Sequence, residues 1–343
     1  MLRVGLALFT FVVIGASVGL AFLILDLNAE AAIATTLGAM AAICLVIADA
    51  LIGRFRVYRH GVEEALSVSG VVLLGVAAAV LGFRVFGSQH ASACIAAGLV
   101  VSACASAAVF HRFGFQYAGV GAIALAAITP APFDGLASSW RHLLAAAIAG
   151  VAFASAHWVS RRVLQERFKD DAEVLRAAAL VCVYLSLNVY AIGAPWTYAG
   201  SAVEPWFRTT SYIGIWLLPI FGLQAGIRLR DRRLIDASLA IAIVTVLTNK
   251  SYLGLPRQPW DPLLLGVLLL GAAIGVRRWL TRGPGGERGG YTAVQLLESE
   301  GRVIQLAGLA SATVHPGPIG ESSPTHTEFS GGRSGGAGGG GEF

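Results

Sequence analysis

Ten apolar runs, separated by short segments that carry most of the charge, occupy the chain as far as Val276. They are Val4–Leu25, Ala31–Ile52, Ala65–Phe83, Ala91–Phe110, Tyr117–Phe133, Leu143–Val159, Ala177–Ile192, Tyr212–Ile227, Leu234–Leu247 and Leu263–Val276. At about 1.5 Å per residue, each of the first four is long enough as a helix to cross a hydrocarbon layer about 30 Å thick. In that layer no water satisfies the peptide groups, so a spanning run must be helical or part of a closed barrel. Unbroken apolar runs, without the period-2 alternation of a barrel strand, select the helix.

Composition agrees. Charged residues make up 13% of the 343 residues and hydrophobic ones 56%, whereas a soluble domain carries about 25% charged residues. So little charge cannot clothe a water-facing surface of this size. The expected fold is an all-α polytopic transmembrane bundle of about ten helices over residues 1–282. A flexible, glycine-rich cytoplasmic tail is expected over residues 283–343. The fifth, seventh, ninth and tenth runs are short, and Pro130 and Pro132 cut into the fifth. A 14-residue run taken alone also suits a re-entrant segment.

The loops decide between these possibilities. If all ten runs cross and the N-terminus is inside, 18 basic residues lie on the cytoplasmic side. They include Arg54, Arg56 and Arg59, the group Arg161–Arg176, Arg228–Arg233 and Arg277–Arg288. Only Arg84, Arg141, Arg208, Lys250 and Arg257 lie outside. That asymmetry follows the positive-inside rule, and removing the fifth crossing would reverse it for every later loop. Both ends are therefore expected in the cytoplasm, in a bacterial cytoplasmic (inner) membrane. Trp140, Trp196, Trp206 and Trp260 fall in segments assigned outside, and Trp158 and Trp279 at inner helix ends. Indole rings favour the headgroup zone, half apolar and half wet. The first run is 22 residues long, longer than the roughly 7–15 of a signal-peptide core, so it is expected to be retained.

The net charge of +5 does not imply nucleic acid, because the basic residues punctuate apolar runs rather than line one face. Cys44, Cys94, Cys104 and Cys182 all sit inside apolar runs, with no CxxC pair and no histidine at ligand spacing. They read as small hydrophobes, and no metal or other cofactor is expected. Gly15-Ala-Ser-Val-Gly19 matches the GxSxG pattern by letter. It lies mid-run, however, without the strand-to-helix turn a nucleophile elbow requires. The runs are rich in small residues, as in Gly70–Gly75 and Ala96–Ala108, which lets helix backbones approach closely.

Candidate binding residues are few. Glu63 and Glu64 open the third helix beside Arg54, Arg56, Arg59 and His60. Two carboxylates next to arginines at a bundle entrance suit a proton or an ion, but they also suit a helix start, where negative charge complements the dipole. In the segment Asn249–Pro262, Lys250, Tyr252 and Arg257 remain as ligand candidates once Asp261 and Pro262 are read as the start of the last helix. Asp49 and Asp236 lie near run ends, within reach of arginines. Asn188 and Gln224 read as bridges between helices.

Three short stretches, Arg59-His-Gly-Val-Glu-Glu-Ala-Leu66, Trp260-Asp-Pro262 and Gly289-Gly-Tyr-Thr-Ala293, resemble uncharacterised bacterial multi-pass membrane proteins of unknown function. The resemblance implies no activity, cofactor or site residue. Three functional readings follow from the residues. The first is a non-enzymatic protein acting through the lipid bilayer and other membrane proteins, its tail a tether. The second is a small-molecule transporter whose ten helices form a five-plus-five arrangement. The third is a membrane-embedded enzyme acting on lipids. The first asks for no buried charge or catalytic cluster.

Overall fold

The computed structural model describes residues 2–25, 30–55, 61–162, 166–190, 203–254, 258, 261–283, 287–288 and 291–292. Among them lie ten α-helices: α1 (Leu2–Leu25), α2 (Glu30–Gly53), α3 (Val62–Phe86), α4 (Ala91–Phe113), α5 (Gln116–Ile128), α6 (Ser138–Arg162), α7 (Glu166–Leu187), α8 (Pro205–Leu229), α9 (Arg232–Tyr252) and α10 (Asp261–Thr281). Each apolar run overlaps one helix, although α5 stops at Ile128 and α7 at Leu187, short of the ends of their runs. Seven helical segments are long and apolar enough to cross a membrane: α1, α2, α3, α4 with the 3-10 turn before it, α6, α8 and α9. The protein is an all-helical polytopic membrane bundle. The chain divides into two compact units, residues 1–273 and 274–343. The described part of the second comprises the end of α10 and a short hairpin, β1 (Glu287–Arg288) against β2 (Tyr291–Thr292).

Helix ends follow local chemistry. Gly114 takes φ 70° and ends α4, its N–H bonding the Phe110 carbonyl, a conformation open to glycine at little steric cost. Pro205 begins α8 at a position that needs no N–H. The connection from α8 to α9 is only Arg230 and Asp231. Arg230 adopts the left-handed conformation, and Asp231 caps α9 by accepting the Leu234 N–H at 3.0 Å.

Several helices outrun their apolar segments. α7 begins at Glu166, α8 at Pro205 and α9 ends at Tyr252. Arg176, read from hydropathy as part of a cytoplasmic loop, is buried within α7. Lys250 and Tyr252, read as outer-loop residues, belong to the last turn of α9. Hydropathy marks lipid contact, whereas backbone hydrogen bonding carries a helix beyond the hydrocarbon.

α5 is only 13 residues, about 20 Å of helix, yet the chain around it passes from one end of the α6–α7 hairpin to the other. At its start Gln116 bonds Asp171, near the beginning of α7. Just beyond its end the Ala131 carbonyl accepts from Arg141, at the beginning of α6. The α6–α7 hairpin is pinned at the first level by Arg176 to Ser160, and at the second by His142 to the Ser186 carbonyl. Turns over Thr129–Gly135 complete the passage that the prolines deny to the helix.

Contacts between neighbours use small side chains. Ala41, Ala48, Ala149 and Ala179 are fully buried. Gly70 packs against Leu45 and Gly75 against Ser102 and the Gly98 carbonyl, joining α3 to α2 and α4. α7 is the hub of the later helices, touching α5, α6, α8 and α9.

Candidate functional site

Buried polar side chains gather at two levels, both organised by α7. At the level of its beginning, Arg176 Nη2 lies 2.9 Å from Asp231 Oδ2 while Nη1 donates to Ser160 Oγ at 3.0 Å. Asp231 is fully buried, with its other oxygen occupied as the α9 cap. One turn earlier Asp171, 8% exposed, accepts from Gln116 Nε2 at 3.0 Å, and Arg233 Nη1 reaches Gln116 Oε1 at 3.4 Å. These contacts tie α5, α6, α7 and α9 together, so the cluster works as a clasp between four helices.

At the other level the network is built mainly of neutral groups, with Arg208 at its edge. Asn188 Nδ2 donates to Tyr184 Oη at 2.7 Å and to Thr248 Oγ1 at 3.0 Å. Thr245 Oγ1 lies 3.0 Å from Tyr184 Oη and 3.1 Å from the Ile215 carbonyl. Tyr252 Oη accepts the Val189 N–H at 3.0 Å and sits 3.4 Å from Ser211 Oγ, while Arg208 donates to the Tyr252 carbonyl. The ring of Tyr252 meets Tyr190 edge-on at 4.7 Å. Each member bridges two of α7, α8 and α9 or the turn after α7. Interhelical hydrogen bonds of this kind are modest individually, about 0.6 kcal/mol on average, and fix register collectively.

Between α4, α5, α6 and α7 runs a groove of about 310 Å³. Its walls are apolar, built from residues such as Ala107, Phe110, Ile123, Ala152 and Val159, and Asp171 lines it from the start of α7.

The candidate residues from the sequence do not converge. Glu63 and Glu64 stand in the first turn of α3, Glu63 buried and Glu64 half-buried. Lys250 forms an ion pair with Asp261 across the α9–α10 connection, and Tyr252 belongs to the neutral network. Arg59, His60 and Arg257 lie outside the described residues. Asp49 pairs with Arg112 at 3.0 Å and Asp236 with Arg232 at 3.9 Å, both exposed and both within the reach expected for them. Asn188 bridges helices as its type suggested. Missed altogether were Asp171, Arg176 and Asp231, which hydropathy had assigned to loops. The one available signal was that Asp171–Arg176 leads without a break into the apolar run from Ala177, so one helix could carry both.

Among the described residues no group of histidines, cysteines or carboxylates could hold a metal ion. Set against protein-family models, curated proteins and solved structures, the chain matches none. Fold and site together define, among the described residues, a multi-pass helical membrane protein with two buried polar clasps and an apolar groove between α4, α5, α6 and α7.

Proposed function

We propose that the chain is a non-enzymatic multi-pass protein of a bacterial cytoplasmic membrane. In this reading both ends are inside, and it acts through contacts with lipid and other membrane proteins. The observation that carries this reading is how the buried polar groups are used. A charged group within a membrane bundle points by default to function. Here Arg176, Asp231, Asn188, Tyr184 and Thr245 are each engaged in joining one helix to another. Side chains committed to such joints serve a rigid scaffold. A five-plus-five transporter would ask for similar neighbours in each half. Instead α7 touches four helices, while its counterpart α2 packs chiefly on α3.

The test uses Glu63 and Glu64. In a scaffold these carboxylates complement the N-terminus of α3, worth about 0.3–1 kcal/mol each. A Glu63→Gln, Glu64→Gln double variant is then expected to insert at normal abundance and to restore the phenotype of a deletion strain. A normally inserted but inactive double variant would move the small-molecule transporter to first place.

A further inference from the structure

We propose that the groove between α4, α5, α6 and α7 binds a single-chain amphiphilic organic amine, its apolar body in the groove and its ammonium on Asp171. The inference goes beyond the scaffold reading and holds whether or not the protein transports anything. Three observations point the same way. The groove, at about 310 Å³, falls at the lower end of the range that holds small ligands, roughly 300–1,000 Å³. It suits one chain better than the two chains of a phospholipid. Its floor is kept open by small residues. A Cβ on Gly119 would fall 2.7 Å from Leu175 Cδ2 and 3.0 Å from Phe110 Cδ2, so a larger residue there would displace these two groove-lining side chains.

The third observation is Asp171 itself. It is 8% exposed and lines the groove, and its Oδ1 takes the Gln116 amide. Among the described residues Oδ2 makes no hydrogen bond. An ionised carboxylate offers about four acceptor sites, and a buried charge demands a partner. Arg176, one turn along α7, is committed to Asp231 and Ser160, and Arg233 is turned to Gln116. An ammonium would bring both charge and N–H donors to Oδ2. A fatty acid or a phosphate headgroup would set like charges together, and an alcohol would leave the carboxylate uncompensated.

The full chain in phosphatidylcholine nanodiscs is titrated with dodecylammonium, dodecanol and dodecanoate, three heads on one tail, and adducts are counted by native mass spectrometry. Dodecylammonium is expected to saturate at one per chain and to bind at least about tenfold more tightly than the other two, the scale on which losing one partner of a buried charge pair is felt. Asp171→Asn keeps an acceptor for Gln116 and should erase that preference. Ala107→Phe, at an exposed groove position, fills the groove without touching the charge and should abolish binding of all three. Equal binding of the three heads would show a lipid-filled crevice only and overturn the proposal. So would undiminished dodecylammonium binding by either variant with an unchanged melting temperature.

Discussion

Arg176 and Asp231 carry the sharpest consequence at the scale of single residues. Taking two charges from water costs about as much as their attraction returns, but removing one partner strands the other. Arg176→Met is therefore expected to destabilise the bundle by about 3–5 kcal/mol, read as a large fall in melting temperature in detergent. Asp231 also caps α9, and asparagine caps as well as aspartate. Adding Asp231→Asn to Arg176→Met should recover most of the loss, because no buried charge then lacks a partner. By contrast, Asp49→Asn breaks a pair whose side chains are 47% and 67% exposed. Its expected cost is under about 1 kcal/mol. These two pairs also mark how far residues could be read without a fold. Asp49 stood near the end of an apolar run, where an arginine partner was expected, but the partner is Arg112, 63 positions away, and not a neighbouring loop arginine. Asp231 and Arg176 stood in what looked like two separate loops, 55 positions apart, and only helix packing brings them to 2.9 Å.

Helices here meet through what their surfaces lack. A Cβ on Gly75 would lie 1.8 Å from Ser102 Oγ and 2.9 Å from the Gly98 carbonyl, and one on Gly98 would lie 2.6 Å from the Gly75 carbonyl. Gly75→Val is expected to force α3 from α4 at a cost of about 1–3 kcal/mol. Gly15→Ala in α1, with nothing within 4 Å of the added carbon, should be neutral or stabilising by up to about 1 kcal/mol. Melting temperatures of the two variants in one detergent would separate close packing from intrinsic propensity. An equal response would mean that α3 and α4 do not touch at Gly75. The small-residue stretches around Gly70–Gly75 and Ala96–Ala108 were visible as composition. Which glycine faces which helix was not, since hydropathy is nearly uniform around a membrane helix and so carries no phase.

At the scale of the whole molecule the loop charges bear on orientation. From the positive-inside asymmetry we expect the segments Arg54–Glu64, Arg161–Arg176 and Arg228–Asp236 in the cytoplasm, and Trp196–Ser211 and Lys250–Asp261 outside. Single cysteines introduced at residues 163 and 255 of a cysteine-free variant should respond oppositely to a membrane-impermeant maleimide on intact cells. The first is expected to stay unlabelled and the second to label. Labelling at 163 would sink the ten-crossing arrangement.

The apolar runs by themselves determined that this chain is a polytopic helical membrane protein, and each run overlaps one of the ten helices among the described residues. In lipid, unsatisfied peptide groups leave an apolar run no alternative to helix. Charge placement set the expected orientation for a similarly local reason, the positions of lysines and arginines in short loops. Tertiary structure decided the rest: that α7 is the hub, that Arg176 meets Asp231, that Asn188 meets Thr248, and that Asp171 faces a groove. Those are relations between helices far apart in sequence. Such pairings depend on the rotation and depth of each helix, which uniform hydropathy leaves undetermined and which only side-chain packing resolves.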